Sequence, residues 1–293
     1  MKYNVFSAFD GMSCGQLALN YTGTKYGNYY ASEIDKDAIK VTMKNYPNTI
    51  QVGDISKIKG EDLPQIHILC GGSPCQGFSI AGKQLNFDDE RSKLFFEFVR
   101  LKNELNPKYF LLENVKMKKE YQDVITQYLG VEPICINSNL VSAQNRKRLY
   151  WTNIPVVGLP KDRNIYLKDI VEDDVLPFAF TERRTEEAKR IRREYQKKEG
   201  RDYCPRRAKE IVRRVDGKFN CLTATFSEKE HMLELKTGGK RKVSPLECER
   251  LQTVPDFFTD GLGLSDSQRR KLLGNGWTID IIAFILSFIP KEL

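Results

Sequence analysis

Apolar positions in the first half of the chain alternate between the two-residue period of strands and the 3.6-residue period of helices. Residues 3–9 are a short, β-rich apolar run closed by Asp10-Gly11, and residues 16–21 then follow a helical pattern. Residues 29–34 repeat the strand signal, with Glu33 at its end, and a helix over 37–45 follows until Pro47 terminates it. A buried strand over 66–70 stops at Gly71-Gly72. The helix over 92–105 carries Leu94, Phe95, Phe98, Leu101 and Leu105 on one stripe, and a strand over 109–112 and a helix over 121–129 complete the series. This succession predicts an α/β fold: a mostly parallel sheet with helices on both faces and ligands at the carboxyl ends of the strands.

The pattern changes after Trp151. Two prolines, 155 and 160, lead into an irregular stretch, and from Thr181 the run TERRTEEAKRIRREYQKKEG predicts a charged helix with only Ala188, Ile191 and Tyr195 on its apolar side. A short strand is expected around 219–226. The helical pattern returns after Pro245, over 246–251 and 267–273, and the apolar tail over 281–289 reads as a buried helix packed on the first sheet. These shifts divide the chain into 1–160, a small basic domain over 161–243, and a return over 244–293 to the first domain. The tail is far below the roughly 20 apolar residues that span a bilayer, so no membrane partner is expected.

Composition narrows the function. The chain has 293 residues, 40% apolar and 29% charged, which suits a globular protein and excludes a disordered or collagen-like chain. Residues 183–214 hold 14 Lys/Arg against 6 Asp/Glu, equal to the whole net charge of +8, and so imply a polyanionic partner. The 7 cysteines form no CxxC pair and only His67 and His231 occur, so no metal is expected. Their odd number without a signal core favours reduced thiols and a cytoplasmic location.

Four features fall at predicted strand ends. DGMSCG (10–15) is a small-residue turn whose backbone amides can approach a ligand; Glu33 stands where doubly wound folds hold a ribose, and Asp54 where an adenine amine can donate. Together they sketch a nucleoside pocket. The fourth, GGSPCQGFS (71–79), sets Cys75 after Pro74, which restricts the backbone around the thiol, and flanking glycines leave room for a bulky substrate. Glu113 ends the next strand, and Arg146 and Arg148 in QNRKR point to one side of an extended segment. A nucleophilic thiol, a carboxyl and two guanidiniums can therefore meet over one polar ring. Cys14, Cys70, Cys135, Cys204, Cys221 and Cys248 have no such setting and read as structural.

The set SPCQGFSIAGKQLNFDDERSKLFFEF, LLENV, QNRKRLYW, SPLECERLQTVPDFF and LLGNGWTIDII resembles the C5-cytosine DNA methyltransferase family, with its motifs in family order from residue 6 to about 285. FDGMSCG and the Trp of GNGW are similar to the eukaryotic de novo enzymes; SPCQGFS and QNRKR are similar to the bacterial and phage members. The unmatched stretch between Trp151 and about Val243 is where that family keeps its target-recognition domain.

The resemblance implies a Rossmann-like S-adenosylmethionine-dependent methyltransferase sheet plus that small basic domain. It implies attack by the Cys75 thiolate on C6 of a flipped-out cytosine, Glu113 on N3 and the exocyclic amine, Arg148 on O2, and Arg146 orienting the site and stabilising the thiolate. By position in the motifs, S-adenosylmethionine would be held by Phe9, Gly11, Glu33, Ile34, Asp54, Ile55, Leu94, Asn275 and Trp277. Ile34 replaces a common aromatic, which weakens adenine stacking. DNA contacts are expected from Gln76, Ser79, Arg192, Arg193, Leu222 and Thr223. The expected partner is double-stranded DNA, bound by a monomer in a prokaryotic or phage-infected cell; a cognate restriction endonuclease or an orphan role are both open. A tRNA cytosine-5 methyltransferase would share the fold, but the Cys-Phe-Thr tripeptide of that branch is absent. A silent DNA-binding regulator would lack one of Cys75, Glu113 or the arginines. A dinucleotide oxidoreductase would leave SPCQ, ENV and QNRKR unexplained.

Overall fold

Alternation along β1 (Tyr3–Ala8) sends Tyr3 and Val5 to one face of a sheet and Phe6 and Ala8 to the other, all four fully buried. The computed structural model describes residues 2–73, 90–200, 209–214, 216–225 and 231–293. Around β1 lie β2 (Tyr26–Ser32), β3 (Ile50–Gln51), β4 (Ile68–Gly72), β5 (Tyr109–Val115), β6 (Ile134–Asn137) and β7 (Lys147–Thr152) in the order β3-β2-β1-β4-β5-β7-β6. Strands β1 to β5 pair in parallel, and β7 runs antiparallel to both β5 and β6. The expected α/β architecture is what forms.

Helices cover both faces. On one, Leu17 and Leu19 of α1 (Cys14–Thr22) and Ile281, Ile282 and Ile285 of α8 (Ile279–Leu286) pack with Val5, Ile68, Leu111 and Tyr150. On the other, Phe95, Phe98 and Leu101 of α3 (Glu90–Leu105) and Tyr121, Ile125 and Leu129 of α4 (Lys119–Leu129) pack with Phe6, Leu69, Leu112 and Trp151. Each such buried aromatic or aliphatic side chain contributes about 1.5–3 kcal/mol. The tail is therefore a buried helix, as its apolar run implied. No helix among the described residues is long and apolar enough to cross a membrane.

Caps fix where the helices begin. Asp35 accepts from the Asp37 N–H at the start of α2 (Lys36–Asn45), and Ser244 with Glu247 and Ser265 with Gln268 form capping boxes on α6 (Pro245–Leu251) and α7 (Asp266–Asn275).

A second sheet joins β8 (Val175–Arg184), β9 (Lys209–Arg213), β10 (Met232–Leu235) and β11 (Lys240–Lys242) in the order β11-β10-β8-β9, all antiparallel. Two expectations fail here. Thr181–Arg184, expected as helix, belongs to β8, because Thr181 pairs with Val212 and Arg184 with Lys209; the helix α5 (Glu186–Glu199) starts only after Thr185, whose hydroxyl caps Ala188 N–H. The strand expected around 219–226 is, over its described residues, a single bridge from Phe219 to Gln144, since Leu222 and Phe219 are fixed by contacts with the first sheet's loops.

Candidate active site at the carboxyl edge of the large sheet

The loop after β1 is bent by three left-handed residues, Phe9 (φ 57°), Gly11 (φ 59°) and Ser13 (φ 65°). Two are not glycine, a backbone cost of about 1–2 kcal/mol each that is tolerated where a site needs the shape. Glu33, just past β2, holds this loop: its Oε2 accepts the Gly11 N–H at 2.7 Å, and its Oε1 accepts those of Ile34 and Asp35 at 2.7 and 2.8 Å. Asp54 caps a 3-10 turn over Ile55–Lys57, accepting the Ser56 N–H at 3.0 Å and its hydroxyl at 2.9 Å; these bonds hold its carboxyl below the ordinary range.

These groups open onto a cavity of about 420 Å³ at the sheet edge. Phe9, Gly11, Glu33, Ile34, Asp54, Ile55, Leu94, Asn275 and Trp277 all line it, so the nine positions singled out from the sequence converge in space. Ile34 is 73% exposed and stands at the rim. Trp277 closes the floor: a Cβ on Gly72 would lie 2.8 Å from its Nε1 and 3.2 Å from Glu113 Oε2, so only glycine fits there. The donor set suits S-adenosylmethionine. Two carboxylates can accept from ribose hydroxyls and an adenine amine, and Phe9, Ile55 and Leu94 supply an apolar wall.

The other end of the cavity is polar. Glu113, 8% exposed at the end of β5, receives Arg148 Nε at 2.9 Å. Burial alone would lower Arg148, but the Cys221 sulfur and the Glu113 carboxylate outweigh it and hold the guanidinium more firmly protonated than usual. Arg146 is 3% exposed and donates to the carbonyls of Leu222 at 2.7 Å and Gly276 at 2.8 Å. It therefore ties the segment after β9 to the loop after α7. Asn114 Nδ2 donates to Ser73 Oγ at 3.0 Å, which anchors the chain beside Pro74. Pro74, Cys75, Gln76 and Ser79 lie outside the described residues, as does Cys204.

Two expectations change. Cys221, read as structural, sits between the two guanidiniums, its Sγ 3.5 Å from Arg146 Nη1 and from Arg148 Nη2. The buried Cys14 and Cys70 fit the structural reading, with burial pushing both thiols up to about 12. Leu222 is 0% exposed, its N–H donating to Gln144 Oε1, so its side chain cannot reach DNA; the neighbouring Thr223 is exposed. Arg146 meets the carbonyls of Leu222, Gly274 and Gly276 and the Cys221 sulfur, while the thiol it is expected to stabilise lies outside the described residues. Arg193 is exposed and Arg192 half-buried on α5, away from this cavity's lining. Asp10 was missed although DGMSCG names it. It lines the cavity, accepts Tyr29 Oη at 2.8 Å, and burial first, with the nearby Glu33 charge, pushes its carboxyl up to about 6.

A nucleoside cavity meeting a buried carboxylate–guanidinium pair on a Rossmann-like sheet defines a methyltransferase architecture that handles a polar ring. The family of C-5 cytosine-specific DNA methylases matches residues 3–291, and the chain belongs to it. Its reaction is transfer of the S-adenosylmethionine methyl group to C5 of cytosine in DNA. The chain is 32% identical over 314 residues to the type II methyltransferase M1.ScrFI of Lactococcus lactis subsp. cremoris, covering 96% of this chain and 76% of that protein. It is 28% identical over 314 residues to the type II methyltransferase M.HhaI of Haemophilus parahaemolyticus, covering 97% and 93%. The solved structure of the Entamoeba histolytica methyltransferase EhMeth shares the fold, with a TM-score of 0.72 at 18% identity over 98% of each chain.

Proposed function

We propose that the chain methylates a flipped-out cytosine of double-stranded DNA through a transient bond from Cys75 to C6. The observation that carries this reading is the buried Glu113–Arg148 pair opening onto the same cavity as the nine cofactor positions. Glu113 accepts from the exocyclic amine and relays a proton to N3, and Arg148 donates to O2, so negative charge that enters the ring on thiolate attack is met by that proton and by the guanidinium N–H groups. S-adenosylmethionine, when bound, would supply the electrophilic methyl group that C5 takes up. Loss of the C5 proton to a base then expels Cys75 and restores the aromatic ring. Arg146 acts behind this edge, holding Leu222 and Gly276 in place. Because the ring cannot be reached inside a stacked duplex, the base must leave the helix.

The part of the chain over 161–243 serves as the target-recognition domain, and 1–160 with 244–293 as the catalytic domain. The enzyme acts as a cytoplasmic monomer on DNA, with a cognate endonuclease or as an orphan. The test is trapping. Duplex DNA carrying 5-fluorocytosine at the target should form a cofactor-dependent covalent adduct that mass spectrometry places on Cys75, because fluorine cannot leave C5 as a proton does. Cys75→Ala should form none while still shifting DNA in a gel. An adduct on another cysteine, or turnover by the alanine variant, would overturn the assignment, and preferential methylation of tRNA would replace the substrate.

A further inference from the structure

Two guanidiniums meet one carboxylate at the polar end of the cavity. Like charges at this separation repel, and burial strengthens the repulsion. Arg146 shows the effect: burial, then the charge of Arg148, makes it give up its proton more readily than usual. The atom between them is sulfur. Cys221 Sγ lies 3.5 Å from Arg146 Nη1 and 3.5 Å from Arg148 Nη2, and it can donate to the Leu222 carbonyl at 3.4 Å. Two more Arg148 N–H groups are used within the protein, Nε to Glu113 Oε1 at 2.9 Å and one on Nη1 to the Lys147 carbonyl at 3.0 Å, which leaves others of its five for a substrate oxygen. Cys221 is itself held, since its carbonyl lies 3.2 Å from His231 Nε2 and the next residue is tied to Gln144 and Arg146.

We propose that Cys221 is a positioning residue for methyl transfer: its sulfur, shared by both guanidiniums, fixes the plane of Arg148 and so keeps Arg148 Nε on Glu113. This rests on the assignment of Glu113 and Arg148 to the cytosine. A large, polarisable sulfur can take two long N–H contacts at once, which lets two cations approach without a second carboxylate. It also makes the geometry of the catalytic edge depend on residues 221–225. That segment includes the exposed Thr223, so its placement and that of Arg148 are mechanically one.

The experiment uses the full chain as Cys221→Ala and Cys221→Ser, with kcat and KM for both substrates, unfolding curves, and cysteine alkylation resolved by peptide mass spectrometry. The alanine variant should lose about tenfold in kcat with the cofactor KM changed less than about twofold, as expected for a displaced group rather than a lost binding contact. Serine should recover most of that loss. In the wild type, Cys221 should prefer iodoacetate over iodoacetamide by about fivefold or more relative to the exposed Cys135, because two guanidiniums attract the anionic reagent. An unchanged kcat in Cys221→Ala overturns the proposal. So does a loss that serine does not rescue and that follows a fall in stability, or an iodoacetate preference no greater than that of Cys135. Alkylation reads the contact without turnover. A strong preference alongside a fully active Glu113→Gln enzyme would overturn the Glu113 assignment and the role of Cys221 in it, and leave the contact standing.

Discussion

The two sheets are stabilised in opposite ways. The large sheet is buried on both faces, so Glu33, Asp54 and Glu113 at its carboxyl edge sit on backbone that has little freedom to shift. In the small sheet, β8 buries only Val175 and Ala179 over 10 residues. Its other positions rest on charge: Arg213 stacks 3.4 Å over the Phe178 ring, Lys240 lies 3.9 Å over Phe180, and Arg241 bridges Asp174 and Glu247. Its helix α5 buries Ala188 alone. Chemistry that tolerates errors of tenths of an ångström belongs on the first kind of support, and contacts to a variable polyanion can be borne by the second. Substitutions in the first region should therefore cost turnover, and those in the second should cost binding.

The largest effect is expected from Glu113→Gln. The amide keeps the shape but can neither balance the charge of Arg148 nor pass a proton to N3 as negative charge develops on the ring, so kcat should fall by about 10³-fold or more. Cofactor affinity, measured by calorimetry, should stay within about threefold. A variant that loses cofactor affinity and turnover together would show that the edge supports binding as much as chemistry, and the contrast between the regions would blur.

An intermediate effect is expected from Asp10→Asn, read on stability. The folded-state carboxyl is pushed up to about 6 from an ordinary 3.8 by burial first and by the facing Glu33, against the pull of the Tyr29 hydroxyl. Ser7 favours the charged form most, ahead of Tyr29 and Ser13, but neither serine hydroxyl makes a hydrogen bond of normal geometry, and among the described residues Asp10 Oδ2 and both hydroxyls have no partner. The folded state binds the proton more tightly than the unfolded chain. The stability Asp10 contributes is thus fully present below its unfolded value and is lost as the pH rises through the folded one. Above that point its ionised form opposes folding. Asparagine keeps an acceptor for Tyr29 and removes the charge, so the variant should be more stable at pH 8 by up to about 3 kcal/mol. Denaturant unfolding should show the difference shrinking steadily as the pH falls between about 6 and 4. A constant offset at every pH would assign the effect to packing.

The same contrast governs what could be read from the chain. Phe9, Glu33, Asp54 and Glu113 were legible because each follows a strand whose apolar period is local, and a parallel sheet brings such strand ends to one edge. Arg146 was legible as a residue of the cavity wall but not in the backbone groups it holds. The carbonyls it holds come from Leu222 and Gly276, 76 and 130 positions away, and no local pattern records that meeting. Cys221 reads as structural in the sequence for the same reason. In the small sheet even element types failed, since Thr181–Arg184 has helical neighbours and becomes a strand only through its partners in β9. Where a core is thin, tertiary pairing outweighs local propensity.

The smallest effect should come from replacing both Arg192 and Arg193 by Gln. Helix α5 carries its charges all round, with Glu186 and Glu187 in its first turn and Lys197 and Lys198 in its last, each favourable to the helix dipole. Some of its cations are already engaged, Lys189 with Glu186 and Arg190 with Glu194. Arg193 donates its Nε to the Lys189 carbonyl at 3.2 Å, and its side chain is exposed. If the pair grips phosphates, the double variant should bind all sequences more weakly, and the slope of log K against log salt should become shallower by roughly one to two units. Its kcat at saturating DNA should not change. If these arginines read guanine edges, each would instead cost about 1–3 kcal/mol at one base pair, and bisulfite profiles would show the methylated motif becoming degenerate there. A helix that buries one alanine is poorly fixed for reading base edges, whereas the exposed Thr223 stands on a segment clamped by Arg146 and Gln144. The phosphate role therefore follows for α5, and an unchanged salt slope with a relaxed motif would reverse it.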